Sequence, residues 1–144
     1  AHRSVEQAWS CKFPCRQTGK GPGMKRLVDA FFNSVRAFRR LAGSEAAFRQ
    51  ELLLLILALP VGWFVSTSWQ GYALLIGVLL VLILVEVLNT GIEATCNAVS
   101  REFNAEIQLA KDCGSLAVLI AVIIAAGVWG LALIERIAAL YFGT

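Results

Sequence analysis

The chain has 144 residues, 58% hydrophobic and 16% charged, with a mean hydropathy of +0.68. That is too apolar for an ordinary soluble domain, where roughly half of the residues are apolar, and the length suits one domain. The net charge of +3 is uneven, with ten of the thirteen Lys and Arg but only Glu6, Asp29 and Glu45 among residues 1–50, and the single histidine, His2, excludes a His-dependent triad or a His-based zinc site.

Residues 1–23 carry no periodic pattern and include Pro14, Pro22 and a Gly-Lys-Gly-Pro-Gly run, so a disordered extension is expected. The run is no phosphate loop, because Pro14 and Gly21 stand where the Walker pattern needs Gly and Ser or Thr. No apolar stretch of signal-peptide type comes after it. Cys11 and Cys15 form a CxxxC pair with no second matching pair, so free thiols in a reducing compartment are a better reading than zinc. Met24 is the only methionine, and ordered patterning begins there.

The spacing predicts an amphipathic helix over 25–42. Leu27, Phe31, Val35, Phe38 and Leu41 recur at helical steps, opposite Lys25, Arg26, Arg36, Arg39 and Arg40. Basic residues opposite Phe and Leu suit a helix lying in the headgroup plane. Gly43-Ser44 breaks it, and Ser44 is placed to cap the next helix.

Three apolar stretches come next, at about 52–69, 72–92 and 115–134, each near the roughly 20 residues that a crossing helix needs. Pro60 is expected to kink the first. Trp63 and Trp69 suit an interface, and the connection between the first two is short enough to make them antiparallel neighbours. A polar segment, 93–114, separates the second from the third and is expected to continue the helix before turning near Leu109. Cys96 and Cys113 read as small packing residues. The fold class is therefore all-α: three transmembrane helices preceded by an interfacial helix. The basic N-terminus is expected on the cytoplasmic side and the C-terminus on the outer side. A nucleic-acid partner is not expected, since the basic end reads as an orientation signal.

The unusual stretch is Glu86-Val-Leu-Asn89-Thr-Gly-Ile-Glu93. Placing a carboxylate this deep in an apolar run costs several kcal/mol. Glu86, Asn89 and Glu93 share one helical face, Glu93 only about 20° around from Glu86 and about 10 Å along the axis. Asn97 lies near the same line. Polar groups in membrane helices often serve packing alone, which accounts for Asn89 or Thr90 but poorly for Glu86. Glu45, Glu51, Glu93, Glu102, Glu106, Lys111 and Asp112 all lie at or near the same ends of the stretches. Two carboxylates with phosphate oxygens suit Mg²⁺, a third in a drier place suits a general base, and Arg26 and Lys111 suit phosphate charge. Phosphoryl transfer to a lipid hydroxyl fits this set. A small channel or proton-coupled carrier using Glu86 is the alternative from another class, disfavoured by the lack of paired halves.

Three motifs then combine: Glu45-Ala-Ala-Phe-Arg-Gln-Glu51, Glu86-x-x-Asn89-Thr-x-Ile-Glu93 and Lys111-Asp112-x-x-Ser115-x-Ala-Val-Leu119. In order and spacing, over about residues 24–142, they resemble the prokaryotic integral-membrane diacylglycerol kinase family. The resemblance implies a homotrimer in the lipid bilayer that transfers the γ-phosphate of ATP, with Mg²⁺, to diacylglycerol. It implies Glu86 as general base and Glu45 and Glu93 as metal ligands. It implies nucleotide contacts at Arg26, Asn33, Glu45, Asn89, Glu93, Glu102, Phe103, Asn104, Lys111 and Asp112. It also implies lipid contacts at Ala47, Phe48, Arg49, Gln50, Glu51, Glu86 and Ser115. The chain departs from the family pattern at Asn97, where well-known members carry Asp, and at Asn33, where an aromatic is common. Related members act on undecaprenol, which stays open as the alternative acceptor.

Overall fold

The computed structural model describes residues 23–99 and 104–142. The N-terminal extension up to residue 22, together with Glu102 and Phe103, lies outside them. Four helices succeed one another: α1 (Gly23–Ser44), α2 (Ala46–Val65), α3 (Trp69–Val99) and α4 (Ala105–Phe142). Among the described residues there is no strand. The described residues fall into two units that divide between Arg39 and Arg40.

In the first unit, α1 leaves Leu27, Phe31 and Phe32 exposed on a helix that also carries Lys25, Arg26, Arg36 and Arg39. Phe31 and Phe32 meet edge to face, with centroids 5.8 Å apart. Exposed Phe and Leu on a basic helix fit the expected interfacial element.

In the second unit, α2, α3 and α4 are each long and apolar enough to cross a membrane. The helices are longer than the apolar stretches that mark them. α2 begins six residues before the expected 52, because Ala-Ala-Phe-Arg-Gln-Glu favours helix without being apolar. α3 extends from the expected 72–92 to Trp69–Val99, and α4 from 115–134 to Ala105–Phe142. Leu109, near which the sequence predicts a turn, lies within α4. At 31 residues α3 is about 46 Å long, against a hydrocarbon core of about 30 Å. The helix is thus longer than a crossing requires, and its last turns carry Glu93 and Asn97.

α3 is the central element, packing along both α2 and α4, which touch each other little. Ala58, Leu79 and Ala125 form the contact between the three, flanked by Leu55, Ile76, Val78 and Trp129. Small residues let helices approach in a membrane, where apolar surface alone gives no drive to associate. Gly62 of α2 belongs to the same logic: a Cβ there would lie 3.4 Å from the Tyr72 ring and 3.6 Å from that of Trp129. Two side chains tie α3 to its neighbours. The Trp129 indole N–H donates to the Leu75 carbonyl at 3.1 Å, and the Tyr72 hydroxyl to the Leu59 carbonyl at 3.3 Å.

The α2–α3 connection is only residues 66–68. Ser68 caps α3, its Oγ accepting from the Gly71 N–H at 3.1 Å. Trp63, Trp69 and Tyr72 meet edge to face here, with centroids 5.5–5.9 Å apart. The helix runs on through Pro60, whose missing N–H leaves the Ile56 carbonyl without its usual partner.

Candidate active site

The acidic residues gather where α2 begins and α3 ends. Glu45 stands at the N-cap of α2 with extended backbone, φ −100° and ψ 118°, and its side chain makes no capping bond. The cap expected of Ser44 is not formed, because α1 continues through Ser44 and pulls its hydroxyl backward. Ser44 Oγ lies 3.0 Å from the Arg40 carbonyl and 3.2 Å from Glu45 Oε1, so it can donate to one or the other. The second arrangement orients the Glu45 carboxylate.

Glu86 is the buried acid, only 6% exposed within α3. Its surroundings are acidic: the Glu93 and Glu45 charges both act on it, and its own charge acts on Glu51 of α2. Four carboxylates from α2, α3 and the residue preceding α2 are thus brought within electrostatic reach. Glu51 is half-buried, and its Oε2 has no hydrogen-bond partner among the described residues. Like charges held together in a poorly solvated place are costly unless a proton or a cation intervenes.

Asn89 links the α3 stripe. Its Nδ2 donates to Glu93 Oε1 at 3.3 Å, one turn further along, while its Oδ1 is buried without a hydrogen-bond partner among the described residues. Thr90 does not join the polar stripe, since its hydroxyl donates back to the Glu86 carbonyl at 3.0 Å. Across from the stripe, Lys111 of α4 donates from Nζ to Asn97 Oδ1 at 2.8 Å. A cation is thereby held about one turn beyond Glu93, near the C-terminal end of α3.

The other expected site residues are placed differently. Asn104 Oδ1 is engaged as the cap of α4, accepting from the Glu106 and Ile107 N–H groups at 2.9 and 3.4 Å. Asp112 is exposed and accepts from Gln108 Nε2 at 2.8 Å. Phe48 is buried at 2% exposure, whereas Ala47, Arg49, Gln50 and Ser115 are exposed. Arg49 reaches back to the Gly43 carbonyl at 3.5 Å. In the first unit Arg26 is exposed, and Asn33 Oδ1 accepts from Arg36 Nη2 at 2.9 Å.

The expected site residues omitted Gly114. It is buried on α4, and a Cβ there would collide with Asn89 Oδ1. A glycine between Lys111-Asp112 and Ser115 was the available signal, but a helical glycine alone does not say which neighbour it admits.

Glu45 and Glu93 offer hard oxygen donors. Among the described residues no three His, Cys, Asp or Glu side chains form a ready-made metal cage. Elsewhere, the groove of about 360 Å³ between α2, α3 and α4, which includes Leu57, Leu82, Val122 and Trp129, is lined by apolar side chains. None of these side chains can transfer a proton or bind a phosphate.

The family of prokaryotic diacylglycerol kinases matches residues 32–133, a range that includes all four carboxylates, Asn89, Lys111 and Gly114. The chain is 38% identical to a diacylglycerol kinase of Pseudomonas aeruginosa over 107 residues, covering 74% of this chain and 87% of the relative. It is 36% identical to that of Escherichia coli over 107 residues, with 74% and 88% covered. With that of Helicobacter pylori it shares 31% over 111 residues, 77% and 87% covered. A match of this extent, over the segment that carries the buried carboxylate and its neighbours, places the chain in the prokaryotic diacylglycerol kinase family.

Proposed function

We propose that the protein phosphorylates the free hydroxyl of diacylglycerol with ATP, giving phosphatidic acid and ADP at the cytoplasmic face of the inner membrane. The observation that carries this reading is Glu86, a carboxylate buried in an apolar helix, with Glu93 about two turns further along the same helix and bonded by Asn89. A packing role alone gives no reason to bury a carboxylate here, whereas a lipid kinase needs a proton acceptor and carboxylate donors for a cation.

The sorting rests on depth. Glu86 lies on the apolar side, where a lipid hydroxyl arrives from the bilayer. Glu45 and Glu93 lie toward the aqueous end, where a nucleotide arrives. Mg²⁺ fits the Glu45 and Glu93 donors, because it commonly takes one or two carboxylates together with substrate phosphates. When bound, it would neutralise phosphate charge. Asn89 donates to Glu93 and limits how it turns, and Ser44 does the same for Glu45 when its hydroxyl leaves the Arg40 carbonyl. Lys111, held by Asn97, offers a cation to the phosphates.

In the reaction the lipid hydroxyl oxygen forms a bond to the γ-phosphorus. The bond from that phosphorus to the bridging oxygen breaks, and ADP leaves with the electron pair. The hydroxyl proton passes to a carboxylate oxygen of Glu86. Positioning and charge stabilisation supply most of the rate in such transfers, which suits a site built mainly of carboxylates, an amide and a lysine. A homotrimer, with neighbouring copies covering the exposed apolar faces of α2–α4, belongs to the same reading.

Purified protein in mixed micelles, given ATP and either diacylglycerol or undecaprenol, tests the proposal. ATP-dependent phosphatidic acid formation at a rate well above undecaprenol phosphorylation is expected. Preference for undecaprenol would reassign the acceptor, and no transfer to either lipid would overturn the kinase reading.

A further inference from the structure

We propose that Gly114 is a positioning residue for phosphoryl transfer: with no side chain at this point of α4, the Asn89 amide of α3 seats against α4 and from there holds the Glu93 carboxylate. The link to phosphoryl transfer rests on the function proposed above; the seat itself rests on geometry.

An ideal Cβ at Gly114 would overlap Asn89 Oδ1, lie 3.3 Å from its Cγ and 3.9 Å from its Cα. The amide therefore occupies the space that any side chain at 114 would fill. Asn89 has a short branch whose Cα is fixed by the α3 backbone. It can escape a methyl group only by rotating its amide or by moving the two helices apart. Rotation breaks the Nδ2 bond to Glu93 Oε1, 3.3 Å long in this arrangement.

The seat also fixes which way the amide faces. Oδ1 points where the Gly114 Cα–H lies, a weak donor of the kind recurring at helix–helix interfaces, and it has no hydrogen-bond partner among the described residues. Nδ2 is left to face the carboxylate. The reverse orientation would set an amide oxygen against a carboxylate oxygen. Gly114 thus acts on Glu93 through Asn89.

Other glycines of α4 supply the control. Gly127 and Gly130 have nothing within 4 Å of a built Cβ. Alanine favours helix over glycine at all three positions, so backbone propensity cannot account for a loss confined to position 114.

The test is a double-mutant cycle of Gly114→Ala and Asn89→Ala, with Gly127→Ala as control, on the full chain in detergent. Thermal unfolding, kcat and KM for Mg-ATP are measured for each. Gly114→Ala is expected to raise KM for Mg-ATP at least tenfold and to lower Tm. In the Asn89→Ala background it should change KM less than twofold and leave Tm in place. Gly127→Ala should match the parent. Equal losses in both backgrounds, or none in either, would overturn the proposal, because the glycine would then serve general helix packing or nothing. If Gly114→Ala alone does not fold, recovery of folded protein in the double variant supports the seat, and failure of both overturns it. Should the parent protein not phosphorylate diacylglycerol, the proposed reaction falls, while the Tm coupling between 114 and 89 still decides the seat.

Discussion

Lys111 on α4 and Asn97 on α3 are joined by a single hydrogen bond of 2.8 Å, a cation held by a neutral acceptor. An acidic acceptor would hold the ammonium more tightly but would also cancel its charge. The amide steadies the side chain and leaves the charge available to an anion. Lys111→Met is therefore expected to raise KM for Mg-ATP at least tenfold. Asn97→Leu should raise it only about two- to tenfold, the effect of losing one hydrogen bond of about 0.5–1.5 kcal/mol. Steady-state kinetics at saturating diacylglycerol measures both. Equal effects would mean that Lys111 matters for joining α3 to α4 rather than for its charge.

Glu86→Gln keeps shape and hydrogen bonding but removes the proton acceptor. Turnover is expected to fall by about 10²- to 10⁴-fold, the usual contribution of a general base, with Mg-ATP binding and folding retained. Calorimetric titration with Mg-ATP beside the turnover assay separates the two. A fall of less than about tenfold would make Glu86 a packing residue and move the search for the base to Glu51 or Glu93.

Glu93→Gln should act on nucleotide binding instead. Activity of the parent protein should vanish when Mg²⁺ is chelated and return when it is restored. In the variant the Mg²⁺ concentration for half-maximal rate should shift upward at least tenfold, since one of two carboxylate donors is lost. An unchanged Mg²⁺ dependence would remove Glu93 from the metal assignment.

Trp129 offers a stability test remote from the carboxylates. Trp129→Phe removes the N–H that bonds the Leu75 carbonyl and leaves an aromatic ring in place. A loss of about 0.5–1.5 kcal/mol is expected, seen as a lower Tm in detergent, with kcat of the folded protein unchanged. A kcat loss with no Tm change would show that the α3–α4 contact at this level communicates with the site.

Orientation is read by labelling intact cells with an impermeant thiol reagent. A cysteine placed at Ser68, in the α2–α3 connection, is expected to react from outside, and the exposed Cys113 near the start of α4 to be shielded. The reverse pattern would invert the topology and put the carboxylates on the other face.

Much of this site is legible in the chain because its determinants are local. Helical periodicity is a property of neighbouring residues, so the shared face of Glu86, Asn89 and Glu93 comes from counting. The Asn89–Glu93 bond and the Lys111–Asn97 pair add what lies on that face. The helix ends were less legible. Apolar runs mark what lipid can cover, whereas helix continues wherever backbone bonds can close, so α2 starts at Ala46 and α4 at Ala105.

By itself, then, the sequence determined the three apolar helices, the basic leading helix and the polar stripe that closes α3, since length, hydropathy and a 3.6-residue repeat act within each segment. Only the tertiary structure decided that Lys111 of α4 meets Asn97 of α3, that Trp129 bonds the Leu75 carbonyl, and that Gly114 receives Asn89. Those relations depend on the register of one helix against another. That register is set by side-chain shape where Ala58, Leu79 and Ala125 meet, and no period within a single helix encodes it.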